Sequence, residues 1–156
     1  MTEVKPPTPL GIYSYSIFLA GSIAQGKAGD WQKETTQKFT DLDLFVLNPR
    51  RDDWDSSWKQ HKDFPPFREQ VTWELDAQQM ANHILMYFDP ETKAPISLLE
   101  LGLFAATGKL TVCCPEGFWR KGNVDLVCER HNIPQVPDLS ALVEAGRQQF
   151  LRTFLA

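Results

Sequence analysis

Glu100 stands among leucines in Ser97-Leu98-Leu99-Glu100-Leu101-Gly102-Leu103-Phe104. Desolvation disfavours the charged form of a carboxyl group and raises its pKa, so an ionised glutamate is rarely buried without a partner. A glutamate in such a setting either turns out of the fold or is kept for chemistry. A second carboxylate, Glu74, lies in the preceding helical stretch, Gln70-Val71-Thr72-Trp73-Glu74-Leu75. Two carboxyl groups about 5 Å apart can carry out retaining glycosyl transfer, one attacking an anomeric carbon while the other orients the sugar or manages protons.

Competing chemistries have weaker signals. His61, His83 and His131 lack the spacing of metal ligands. Gly21-Ser22 has no flanking glycines of a nucleophile elbow, and no phosphate-binding or dinucleotide fingerprint occurs. Arg50, Arg51, Arg68, Arg120 and Lys121 fall in or beside predicted loops, where they either meet a phosphate or serve as solvated charge. Cys113, Cys114 and Cys128 do not match a zinc spacing and read as reduced core thiols.

The elements that must position the two glutamates can be followed along the chain. Residues 1–11 carry three prolines and read as an extended arm; residues 12–156 form a single domain. A β-prone run from Tyr15 to Ala20 ends at Gly21-Ser22, which either floors a pocket or simply makes a tight turn. A loop over residues 23–30 and a polar helix to about Phe39 follow. Asp41 to Leu47 reads as the second strand, stopped at Asn48-Pro49-Arg50-Arg51. The next stretch, Asp52 to Pro66, holds Trp54 and Trp58 and is too long and aromatic for a plain connector, so it is a candidate ligand-covering loop.

A helix from about Phe67 to Ala81 carries Glu74, and His83 to Phe88 is a nearly continuous apolar strand suited to a sheet centre. The loop from Asp89 to Pro95 leads to the Glu100 helix, with Ser97 as its expected N-cap. A strand from Leu110 to Pro115, a helix from about Val124 to His131, an edge strand near Ile133 to Pro137 and a terminal helix capped by Asp138 complete the chain. Alternation of strand and helix predicts an α/β fold: one doubly wound domain with a five-stranded, mostly parallel sheet in flavodoxin-like order 2-1-3-4-5 and helices on both faces. Right-handed crossovers then gather the strand-to-helix loops, and Glu100 with them, at one crevice.

At 156 residues and 42% hydrophobic, the chain has room for one core. Its net charge of −4 gives no footprint for nucleic acid or an anionic membrane, so a small-molecule partner is expected. No apolar run approaches a membrane span, and the amino-terminal residues lack the core of a signal peptide, which predicts a cytoplasmic protein.

Three elements in order, Phe18-Leu19-Ala20-Gly21-Ser22-Ile23, Gln70 to Leu75, and Pro95 to Gly102, resemble the nucleoside 2-deoxyribosyltransferase superfamily, which also contains deoxynucleoside 5′-monophosphate N-glycosidases. Asn48-Pro49-Arg50-Arg51 and Trp119-Arg120-Lys121-Gly122-Asn123-Val124-Asp125 look most like its transferase-like branch. The resemblance spans about residues 15–130. It implies that Glu100 is the nucleophile, forming a covalent glycosyl ester, and that Glu74 assists it. It places Phe18, Gly21 and Ser22 around the sugar, and it puts Asn48, Arg50, Asp89 and Ser97 at the substrate-binding edge. It implies no metal or cofactor, a nucleoside or nucleotide as partner, and a homo-oligomer.

The chain departs from its relatives at Ala94, where transferases carry aspartate, and at Phe18, where they carry tyrosine. Ala94-Pro95-Ile96 also lacks the serine and glycines with which the nucleotide hydrolases hold phosphate. The resemblance therefore implies N-glycosidic bond chemistry without choosing the base, or between transfer and hydrolysis. A non-catalytic nucleotide-binding or sensing module of the same fold is the alternative.

Overall fold

Along His83-Ile84-Leu85-Met86-Tyr87, residues of alternate parity belong to two different apolar clusters, one on each face of a sheet. Ile84 and Met86 join one cluster and Leu85 and Tyr87 the other, so the strand has no solvated side. The computed structural model describes residues 1–23 and 29–155, and shows this strand at the centre of a six-stranded parallel sheet. The strands are β1 (Thr2–Val4), β2 (Ser16–Gly21), β3 (Phe45–Leu47), β4 (His83–Tyr87), β5 (Leu110–Cys113) and β6 (Gln135–Val136). They are ordered β1-β3-β2-β4-β5-β6, and every pair is parallel.

The five strands expected from the sequence take the expected order, and a sixth joins them. Thr2–Val4, read as part of the arm, pairs along β3 with Val4 opposite Leu47. Without it, β3 would present its backbone N–H and C=O groups as an open edge. The expected second strand is shorter than Asp41 to Leu47, because Leu42 N–H bonds to the Phe39 carbonyl in a turn and Asp41 pairs with Arg147.

The helices are α1 (Trp31–Gln37), α2 (Pro65–Met80), α3 (Pro95–Phe104), α4 (Lys121–His131) and α5 (Leu139–Leu155). Trp31 of α1 and Leu142 and Phe150 of α5 share a cluster with Ile17, Leu19 and Leu85. Trp73 and Ala77 of α2, Leu101 of α3, and Val124 and Cys128 of α4 share the other with Phe18, Ala20 and Met86. The α2 and α3 helices that carry the two glutamates therefore lie together on one face. Asp138 caps α5 as expected, accepting from Ala141 N–H at 2.8 Å. The loop residues 24–28, which the sequence places after the Gly21-Ser22 turn, lie outside the described residues.

Strand order reverses direction between β2 and β4, the switch point where open α/β sheets leave a ligand crevice. Gly21 pairs with Tyr87 at that point. Its φ is +140°, and a Cβ there would lie 2.1 Å from the Tyr87 carbonyl oxygen. Only glycine lets the two strands meet this closely as the chain turns out.

Candidate active site

The α3 helix is inverted relative to an ordinary surface helix. Its buried residues are Ser97, Glu100 and Leu101, while Ile96, Leu99 and Leu103 are exposed. Positions three and four apart share a helix face, so Ser97 and Glu100 form a polar stripe turned inward and the three apolar residues form a stripe turned to solvent. Glu100 is only 7% exposed. The expected N-cap is corrected: Ala94 occupies the cap position with φ 42°, Pro95 opens the helix, and Ser97 lies buried within its first turns. Proline suits the first helical position because its missing N–H would have no helical partner there.

Opposite this stripe, α2 presents Gln70, Glu74 and Gln78, each one turn beyond the last. Gln78 Nε2 donates to Glu100 Oε1 at 2.8 Å and, more weakly, to the Glu74 backbone carbonyl at 3.3 Å. Gln70 Nε2 donates to Glu74 Oε1 at 2.6 Å and to the Pro49 carbonyl at 2.9 Å. Each carboxylate thus receives one carboxamide N–H. Gln70 also ties the loop after β3 to Glu74.

Burial pushes the Glu74 carboxyl up to about 7, with the Gln70 bond opposing the rise. Glu100 is pushed up to about 8, first by burial and then by repulsion from Glu74, while the Gln78 bond lowers it. Two carboxyls that repel one another while being desolvated hold a proton between them near neutral pH.

The remaining sequence-derived site residues fall into three groups. Gly21, Ser22 and Asp89 form a knot at the ends of β2 and β4: Ser22 N–H donates to the Tyr87 carbonyl, and Ser22 Oγ receives Asp89 N–H at 2.9 Å and Thr92 Oγ1–H at 2.7 Å. Ser22 therefore fixes the loop that leads into α3. Asp89 Oδ1 accepts from Glu91 N–H within that loop. Phe18 lies below, buried in β2 with its ring 6.5 Å from that of Trp73.

Asn48 and Arg50 stand at the end of β3. Both ends of the Asn48 side chain are occupied, Nδ2 donating to Glu3 Oε1 at 2.8 Å and Oδ1 accepting from Arg50 N–H at 3.0 Å. Arg50 reaches Asp30 at 3.5 Å. In the candidate covering loop, Trp54 and Trp58 meet edge to face, and Arg51 lies over Trp58 while pairing with Asp53 and Glu69. His83, at the amino-terminal end of β4 and away from the crevice, shares a hydrogen bond with Thr111, and burial holds it down at about 4.

Sequence reasoning passed over Gln70 and Gln78. Their signal was available in the spacing, since both sit one helical turn from Glu74. Two surface grooves are open in the structure, of about 580 Å³ between Leu10 and Trp73 and of about 840 Å³ between Cys114 and Pro137, and neither is lined by Glu74 or Glu100.

The fold and the crevice at its switch point place the protein among doubly wound α/β proteins that bind ligands at the carboxyl ends of their strands. The chain belongs to the nucleoside 2-deoxyribosyltransferase-like family, whose model matches residues 14–118, from just before β2 to the loop after β5 and including both glutamates. No curated relative matches it. Among the described residues, no helix is long and apolar enough to cross a membrane.

Proposed function

We propose that the protein cleaves the N-glycosidic bond of a nucleoside or nucleotide through a glycosyl ester on Glu100. The observation that carries this reading is a buried Glu100 and a half-buried Glu74 on facing helices, each held by a glutamine, within the region matched to the deoxyribosyltransferase-like family. In the first half-reaction an ionised Glu100 oxygen bonds to the anomeric carbon as the carbon–nitrogen bond breaks. The bond's electron pair passes to the base, which takes a proton from Glu74. In the second, an acceptor base or water attacks the same carbon, Glu74 recovers a proton, and the Glu100 carboxylate is released. Two inversions give net retention.

Gly21, Ser22, Asp89 and Ser97 are proposed to line the substrate, with Phe18 beneath the sugar and Asn48 and Arg50 at the rim. The carboxylate supplies the nucleophile, so this mechanism calls for no metal or cofactor. The exposed Ile96, Leu99 and Leu103 stripe supports a second copy of the chain packing on α3.

Incubation with deoxynucleosides, with and without a free acceptor base, tests the proposal by chromatography of exchanged and released base. Activity that is lost in Glu100→Ala supports the nucleophile. Undiminished activity in that variant removes it, and binding without turnover points to the sensing module.

A further inference from the structure

Gln78 is fully buried, and among the described residues its Oε1 has no hydrogen-bond partner; Gln70, 5% exposed, repeats the pattern with its own Oε1. A buried acceptor left unmet costs about 1–3 kcal/mol, so native interiors seldom keep one without reason. Both amide orientations follow from their neighbours. The Gln78 nitrogen faces two acceptors, the Glu74 carbonyl and the Glu100 carboxylate, so the nitrogen must be the donor end and the oxygen must point elsewhere. The same holds for Gln70 between the Pro49 carbonyl and Glu74. Because oxygen and nitrogen share one carbon, the free Gln78 oxygen lies alongside the carboxylate that would form the ester.

The groups bonded to this pair are carboxylates, carbonyls and carboxamides, so among the described residues it has acceptors to spare and its N–H donors are already engaged. Apart from the one proton the two carboxyls share, whatever satisfies the free oxygen must bring its own donor. A sugar bonded through its anomeric carbon to Glu100 offers hydroxyl groups within a few ångströms of that bond.

We propose that Gln78 is a positioning and sugar-reading residue: its N–H aims the Glu100 carboxylate, and its free oxygen accepts a hydrogen bond from a hydroxyl of the bound deoxyribose. The inference rests on the glycosyl-ester reading of Glu100. It goes beyond it in assigning a role to a residue outside the carboxylate pair.

The experiment compares kcat and KM of wild type and Gln78→Met on a 2′-deoxynucleoside and on its 3′-deoxy and 5′-deoxy counterparts, with thermal unfolding to confirm that the variant folds. Loss of the aiming N–H is expected to lower kcat by about a hundredfold on the parent sugar. On the analogue that lacks the hydroxyl read by Gln78, the variant is expected to lose about tenfold less in kcat/KM than on the parent. In wild type that analogue should be poorer than the parent by about tenfold, and the difference should shrink in Gln78→Met.

Equal losses on all three sugars, as a buried water on the free oxygen would give, overturn sugar reading. A kcat within twofold of wild type overturns positioning. If no sugar is turned over but the parent binds, the glycosyl-ester reading fails separately, and calorimetric titration of the three sugars into both proteins makes the same comparison. Absence of all binding overturns both.

Discussion

Gln78 and Glu100 stand on different helices, 22 positions apart in sequence, and meet side chain to side chain at 2.8 Å in the buried layer between α2 and the sheet. A glutamine in that place does what a cation could not do so selectively. It donates to the carboxylate without neutralising it, opposing the rise in pKa that burial and then Glu74 impose. The contact also fixes how α2 and α3 face each other, and it joins the Glu74 helix to the helix whose inward stripe is polar.

Replacing Gly21 should be costly. With φ at +140° and the Tyr87 carbonyl oxygen 2.1 Å from where a Cβ would stand, Gly21→Ala must push β2 and β4 apart at the switch point. The expected loss is about 3 kcal/mol or more in denaturant unfolding. A midpoint unchanged from wild type would show that the turn can relax without opening the sheet.

The carboxylate pair should make stability fall as pH rises. Glu74 and Glu100 titrate near 7 and 8 in the folded state, above the ordinary 4.5. Between about 4.5 and 8 the folded state therefore binds more protons than the unfolded one, so their contribution is complete below 4.5 and is lost as pH passes the folded values. His83, held near 4, slopes the other way between 4 and 6.5, which is why the comparison is between variants. Glu100→Gln should flatten the decline and unfold at a higher temperature than wild type at pH 9. Parallel curves from pH 5 to pH 9 would show that Glu100 is solvated and ionised throughout.

Much of this arrangement could be read from residue order. The apolar run from His83 to Phe88 marked the central strand, because a strand covered on both faces needs no polar alternation. Glu100 stands out because a carboxylate among leucines conflicts with its surroundings. What escaped notice depended on partners distant in sequence. Thr2–Val4 is too short and too near prolines to signal a strand, and it becomes one because β3 offers an open edge. Asn48 gave no sign that Glu3 would occupy it. Ser97 has the chemistry of a cap, but Ala94 and Pro95 turn the chain into the helix earlier and leave Ser97 facing inward. Gln70 and Gln78 looked like ordinary polar helix residues until α3 was laid against them.

In the proposed mechanism Glu100 carries the sugar, and that ester can be trapped. The protein is mixed with a 2′-deoxynucleoside, quenched in acid within the first turnovers, digested, and mapped by mass spectrometry. The expected result is one deoxyribosyl group on the peptide containing Glu100, lost on addition of an acceptor base and absent in Glu100→Gln. Turnover with that peptide unmodified, or with the sugar on Glu74 or any other residue, would contradict it.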